Sequence, residues 1–167
     1  MTLFADIAQM RKMLSNLDGC LTKAGSYASR RGFDASVLVQ SRLAPDMFAL
    51  VRQVQAACDS AKYAAARTAG KEPPVHPDTE QTLEELRARV ASVESYLDSF
   101  APADFAGADS RTVSLPRWEG KSMTAQDYFC QHALPNFYFH LAMAYAILRH
   151  NGVDLGKRDY LGDLRFR

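Results

Sequence analysis

The stretch Leu134–Gly152, LPNFYFHLAMAYAILRHNG, constrains this chain more than any other. Pro135 suits the first turn of a helix, where its missing N–H would have no partner anyway. Asn151 and Gly152 suit the left-handed backbone that ends one. Between these ends apolar residues occupy almost every face, which predicts a helix buried nearly all round. Asn136 and His140, four apart, set two polar groups along one stripe of that apolar surface. Buried polar groups are nearly always paired. The stripe is therefore either a hydrogen-bonded fixture that sets helix register or the lining of a site.

Helical spacing elsewhere supplies the surrounding helices. Leu3, Ile7, Met10, Leu14, Leu17 and Leu21 step by four and three and mark a long first helix, with an end or break between Gly25 and Gly32. Residues 33–40 read as a short connecting turn or helix. A second long helix is expected to open at Arg42–Phe48, with Pro45 and Asp46 in its first turn, and to fade at Gly70. Its buried stripe runs from Met47 through Leu50, Val54, Cys58 and Ala61 to Ala65. Asp46 and Gln53, seven apart, lie on one side of that stripe.

Lys71–Pro77 is a proline-rich linker in which His76 reads as an exposed loop histidine. A third helix, capped by Asp78 or Thr79, buries Leu83, Leu86, Val90, Val93 and Leu97 and turns Arg87 and Arg89 to solvent. Ala101-Pro102 ends it. Residues 111–123 alternate briefly around a glycine turn and predict a short β-hairpin or extended insertion. Thr124 caps a short helix to Ala133. Pro135 should then separate His132 from the Asn136–His140 helix, because the residue before a proline is pushed out of helical geometry. Val153–Arg167 should lie along the rest as an extended strap. The predicted fold class is all-α: a four-helix bundle, residues 1–167 forming one domain, with the hairpin inserted before the last helix.

Composition narrows the partners. A net charge of +1 gives no electrostatic case for nucleic acid or an anionic membrane. No apolar run approaches the roughly 20 residues that span a bilayer, and the N-terminus lacks a basic leader ahead of an apolar core. Cys20, Cys58 and Cys130 are odd in number and scattered, as expected of reduced thiols in the cytoplasm. GxGxxG, CxxC, HExxH and GxSxG patterns are all absent. No catalytic residue can be named from motifs.

RLAPDMF at 42–48, Gln53-Val54, LPNFYFH at 134–140, AYAILRHNG at 144–152 and GKRDYLG at 156–162 resemble the DUF1993 family, within the DinB/YfiT-like superfamily. The resemblance spans essentially the whole chain. It implies a DinB-like four-helix bundle, often a homodimer. Members of the wider group hold a divalent metal with three histidines, one on the second helix and an H-x3-H pair on the fourth, and some transfer low-molecular-weight thiols. His140 matches the second histidine of that pair, and Asn136 stands at the first. The second helix has no histidine, and Gln53 falls at the ligand position with Asp46 nearby. Gln53, Asn136 and His140 make a poor donor set for zinc or nickel, which favour imidazole, thiolate or carboxylate.

The expected reading is a cytoplasmic protein with a degenerate metal site, without cofactor, binding a small polar molecule. Asp46, Tyr138 and Tyr145 would contribute to the pocket. The alternatives are a nickel- or zinc-dependent thiol transferase or hydrolase and a structural dimer. Whether the protein is an enzyme stays open at this point.

Overall fold

The computed structural model describes residues 2–166. Four long helices form a bundle: α1 (Leu3–Arg31), α3 (Leu50–Ala69), α4 (Leu83–Asp98) and α6 (Leu134–His150). The short helices α2 (Ser36–Gln40), α5 (Ala125–Tyr128) and α7 (Lys157–Leu161) join or flank them. The sequence-based expectation of an all-α bundle with a hairpin before its last helix is met. Strands β1 (Thr112–Ser114) and β2 (Ser122–Thr124) pair antiparallel with Val113 opposite Met123. Among the described residues no helix is long and apolar enough to cross a membrane.

Helix α3 is the hub. It packs most extensively against α6, then α4, while α1 lies mainly on α4. Its buried Ala57, Ala61, Ala64 and Ala65 permit close approach of the neighbouring backbones. Leu14, Leu21, Leu86, Val90, Phe137 and Ile147 fill the apolar interior.

Several local expectations need correction. Helix α1 continues through Gly25 to Arg31 and stops only at Gly32, in left-handed geometry with φ 70°. Burial of Ala24 and Ala28 carries its packed stripe past the glycine, against a propensity cost of only about 1 kcal/mol. The second long helix begins at Leu50, not near Arg42. Ala49 is extended, and the Leu50 N–H donates to Ser41 O at 2.9 Å, so Pro45 and Asp46 lie in a preceding turn. Helix α4 is capped at Thr82, where Thr82 and Glu85 form a reciprocal capping box. Asp78 is used instead by Arg52 and Arg89.

Arg89 is buried, with a side chain 1% exposed, and contacts Asp59 at 2.8 Å and Glu80 at 3.0 Å. His76 is half-buried: Lys62 Nζ approaches its Nδ1 at 3.3 Å and Ser92 Oγ its Nε2 at 2.9 Å. The linker is thus pinned to the bundle. The C-terminal segment is more than a strap. Buried Val153 and Leu155 lead into α7, which docks on α1 through Lys23–Asp159 at 2.7 Å and Asn16 to Tyr160 O at 3.0 Å.

Pro135 does not separate His132 from the helix that follows. Leu134 is fully helical, with φ −65° and ψ −50°, and its N–H donates to Phe129 O, five residues back. Residues Phe129–Ala133 form a π-helical turn that joins α5 to α6. That wide turn accommodates a ring whose residue has no N–H and which would otherwise crowd the carbonyl of the preceding turn.

Candidate functional site

Because the π-turn keeps the helix continuous, His132, Asn136 and His140 line one cavity of about 300 Å³ between α3 and α6. Helix α3 contributes the opposite wall. Gln53, Ser60 and Arg67 follow one another at intervals of seven, two helical turns, and so share a face. Phe48, from the turn before α3, and Arg117, from the turn inside the hairpin, complete the lining.

At one end the His140 side chain is held by Gln53. The two meet at 2.8 Å between His140 Nδ1 and Gln53 Oε1, and Gln53 Nε2 donates to Phe48 O at 3.3 Å. With its amide nitrogen committed to a carbonyl, Gln53 presents its oxygen to the imidazole. Nδ1 therefore carries the proton and donates, which leaves a lone pair on Nε2. Among the described residues Nε2 has no protein partner. The Phe48 and Phe139 rings flank the imidazole at 6.3 and 5.2 Å between centroids, and both are exposed. Burial, reinforced by the Arg52 charge, pushes the His140 pKa below its ordinary value.

Asn136 does not join this pair. Its Nδ2 donates to Ser60 Oγ at 2.7 Å, and Ser60 in turn donates to Ala56 O at 2.6 Å. The polar stripe read from the sequence is therefore two separate hydrogen-bonded pairs, Gln53–His140 and Ser60–Asn136.

At the other end Arg67 Nη1 donates to Tyr128 Oη at 2.9 Å, and its guanidinium lies 4.3 Å from the centre of the Tyr63 ring. The buried Tyr128 ring stacks on His132, with centroids 5.5 Å apart and planes at 19°. Arg117 Nη2 lies 2.6 Å from His132 Nε2. A guanidinium can only donate, so Nε2 accepts and the neutral ring carries its proton on Nδ1, which is buried without a partner. Burial, then the charges of Arg117 and Arg67, lower the His132 pKa. Burial raises the Tyr128 phenol, opposed by Arg67.

The lining is strongly one-sided in charge. Among the described residues Asp59 is its only carboxylate, and that group is engaged by Lys62 and Arg89, each at 2.8 Å. Arg52 is paired with Asp78. Arg67 and Arg117 have no carboxylate partner among the described residues.

This setting does not fit a divalent metal. Gln53 and Asn136 already serve His140 and Ser60, and His132 Nε2 faces a guanidinium. Among the described residues no group of three or more His, Cys, Asp or Glu converges. Of the remaining residues expected at the site, Asp46 is exposed in its turn, outside the cavity lining. Tyr138 sits toward α1, near Gln9 and Asp6. Tyr145 packs edge-on against Tyr160 in a separate small crevice beside Met13 and Leu17.

Sequence reasoning missed Ser60, Arg67, Tyr128 and Arg117 and discarded His132. The interval of seven that linked Asp46 to Gln53 would have found Ser60 and Arg67 if continued along α3. Nothing local points to Arg117, which arrives through the hairpin.

The sequence profile described as a domain of unknown function, DUF1993, matches residues 4–161. A crystal structure of a DinB family member protein from Shewanella denitrificans superposes with a TM-score of 0.93 at 50% identity, covering 96% of this chain and 92% of that one. No curated protein matches.

Proposed function

This chain belongs to the DUF1993 family, and we propose that within its DinB-like bundle a degenerate metal site serves as a binding pocket for a small polar molecule. The observation that carries this reading is the Gln53–His140 hydrogen bond, which holds an imidazole against a cavity with Nε2 free to accept from a ligand. A volume near 300 Å³ lies at the small end of the roughly 300–1,000 Å³ typical of ligand pockets. Phe48, Tyr63 and Tyr128 give it aromatic walls, and Asn136 presents an amide from α6.

The metal-dependent transferase or hydrolase reading has less support. Its ligands would be Gln53, Asn136 and His140, and the arginines around them oppose a second cationic charge. The test is metal analysis of untagged protein after incubation with zinc or nickel. The expected result is no stoichiometric metal, with His140→Ala unchanged from the parent. Stoichiometric zinc or nickel that His140→Ala abolishes would replace this reading with the metal-dependent one.

A homodimer is expected by resemblance, and light scattering across a concentration series checks it. Cytoplasmic residence is supported by three free thiols. Burial pushes Cys20 up to about 11 and Cys58 up to about 12, which makes both inert.

A further inference from the structure

We propose that the ligand of this pocket is a small oxyanion, a carboxylate or phosphate on a ring-sized body, and that Arg67 and Arg117 are the groups that recognise it. The inference rests on the pocket reading above and specifies its ligand.

Neither Arg67 nor Arg117 has a carboxylate partner among the described residues. Buried protein cations generally sit beside carboxylates, as Lys62 and Arg89 do beside Asp59. Arg67 and Arg117 converge from different elements, helix α3 and the hairpin turn, onto the stacked pair Tyr128 and His132. One guanidinium bonds the phenol and the other the imidazole of two rings whose centroids are 5.5 Å apart, so the two occupy one small region. Each uses one N–H on a neutral partner, a phenol or an imidazole, and keeps others in its planar fork free. Two like charges held close without a counter-ion are unfavourable unless something negative joins them. A bidentate oxyanion matches the fork geometry of a guanidinium.

The neighbouring groups fit the same ligand. Tyr128 Oη accepts from Arg67, and its own proton has no acceptor among the described residues, which makes it a further donor. Tyr63 and Phe48 offer ring faces for the body of the molecule. At the far end His140 Nε2 accepts from a hydroxyl or amine on that body. The single lining carboxylate, Asp59, is neutralised by two buried cations and does not compete for the arginines.

The experiment uses four probes of one shape: benzoate, phenyl phosphate, neutral benzamide and cationic benzylammonium. Affinity is measured by titration calorimetry, and location by the imidazole resonances of His132 and His140. Benzoate or phenyl phosphate should bind at least tenfold more tightly than benzamide, weaken as salt rises, and raise the His132 pKa on binding. The better of the two anions identifies the headgroup. Arg117→Gln, on an exposed turn, should lower anion affinity about ten- to a hundredfold, while leaving benzamide unaffected. Arg67→Lys, which keeps the charge but loses the fork, gives a second variant that does not empty the Tyr128 contact.

Benzamide binding as well as the anions, with the same imidazole shifts, would overturn the anion inference and leave the pocket reading standing. No probe binding at millimolar concentration would overturn both. Benzylammonium binding preferentially would reverse the sign of the site and sink the inference outright.

Discussion

On the side of α3 that meets α4 and the linker, Lys62 and Arg89 are buried almost completely, and Asp59, Glu80 and Asp78 surround them. On the side that meets α6, Arg67 and Arg117 lie beside Tyr63, Tyr128 and His132 without a carboxylate. The first cluster holds the proline-rich linker against two helices, and of its members only Asp59 reaches the cavity lining. The second lines a cavity. The same residue types thus serve structure where the charge is matched inside the fold, and suit recognition where it is left unmatched.

Breaking the matched cluster should have the largest effect. Arg89→Met leaves the half-buried Asp59 and Glu80 without their guanidinium. The expected loss is about 3–5 kcal/mol in urea unfolding, the range for stripping one partner from a buried ion pair. A loss below about 1 kcal/mol would show that the linker cluster is not structural, and the contrast between the two faces would fail.

The next largest effect lies on the cavity side, in its neutral pair. Gln53→Leu keeps the volume and leaves His140 Nδ1 without an acceptor, for an expected cost of about 1–3 kcal/mol. Nitrogen NMR of the imidazole provides the specific readout. In the parent protein His140 should be protonated at Nδ1, and in the variant the tautomers should mix. An unchanged tautomer would mean that Gln53 does not orient the ring.

Much of the bundle was legible because apolar periodicity is a local signal. Leu3 to Leu21 and Leu83 to Leu97 announce their helices directly. Gln53, Asn136 and His140 were legible as positions on two helices, and the first and last of them do meet. What the sequence concealed was nonlocal or depended on backbone detail. The helical state of Leu134 rests on a π-turn that propensity rules do not anticipate, and with it went His132. Arg89 looks like a surface residue by spacing; only the folded linker buries it. Arg117 reaches the cavity because the hairpin folds back over α5, a placement set by tertiary packing.

Acid should weaken both faces, by less than the substitutions above. His76 in the linker cluster and His132 and His140 at the cavity all have pKa values below the ordinary 6.5, in each case chiefly through burial. A lowered histidine pKa means that the fold favours the neutral ring and the unfolded chain takes up the proton first. Stability is therefore complete above about pH 6.5 and declines as pH falls toward the folded-state values. Thermal melts between pH 7.5 and 5 should show that decline, and His76→Gln should flatten part of it. A melting temperature that rises over this range on acidification would contradict the neutral assignments at both faces.

The smallest stability change carries the sharpest comparison. Arg117→Glu sets a carboxylate opposite Arg67, as Asp59 already stands opposite Lys62 and Arg89. Arg117 lies on an exposed turn, and substitutions there ordinarily stay within about 0.5 kcal/mol. Removing a repulsion and adding a partly exposed ion pair should move stability upward by about 0–1 kcal/mol. Anion binding should disappear at the same time. A residue whose reversal of charge stabilises the fold while abolishing binding is one placed for a ligand, since sites built for recognition hold charges that the fold alone would rather neutralise. Destabilisation by more than about 1 kcal/mol would instead make Arg117 a structural clasp on His132, and the cavity face would then resemble the linker face after all.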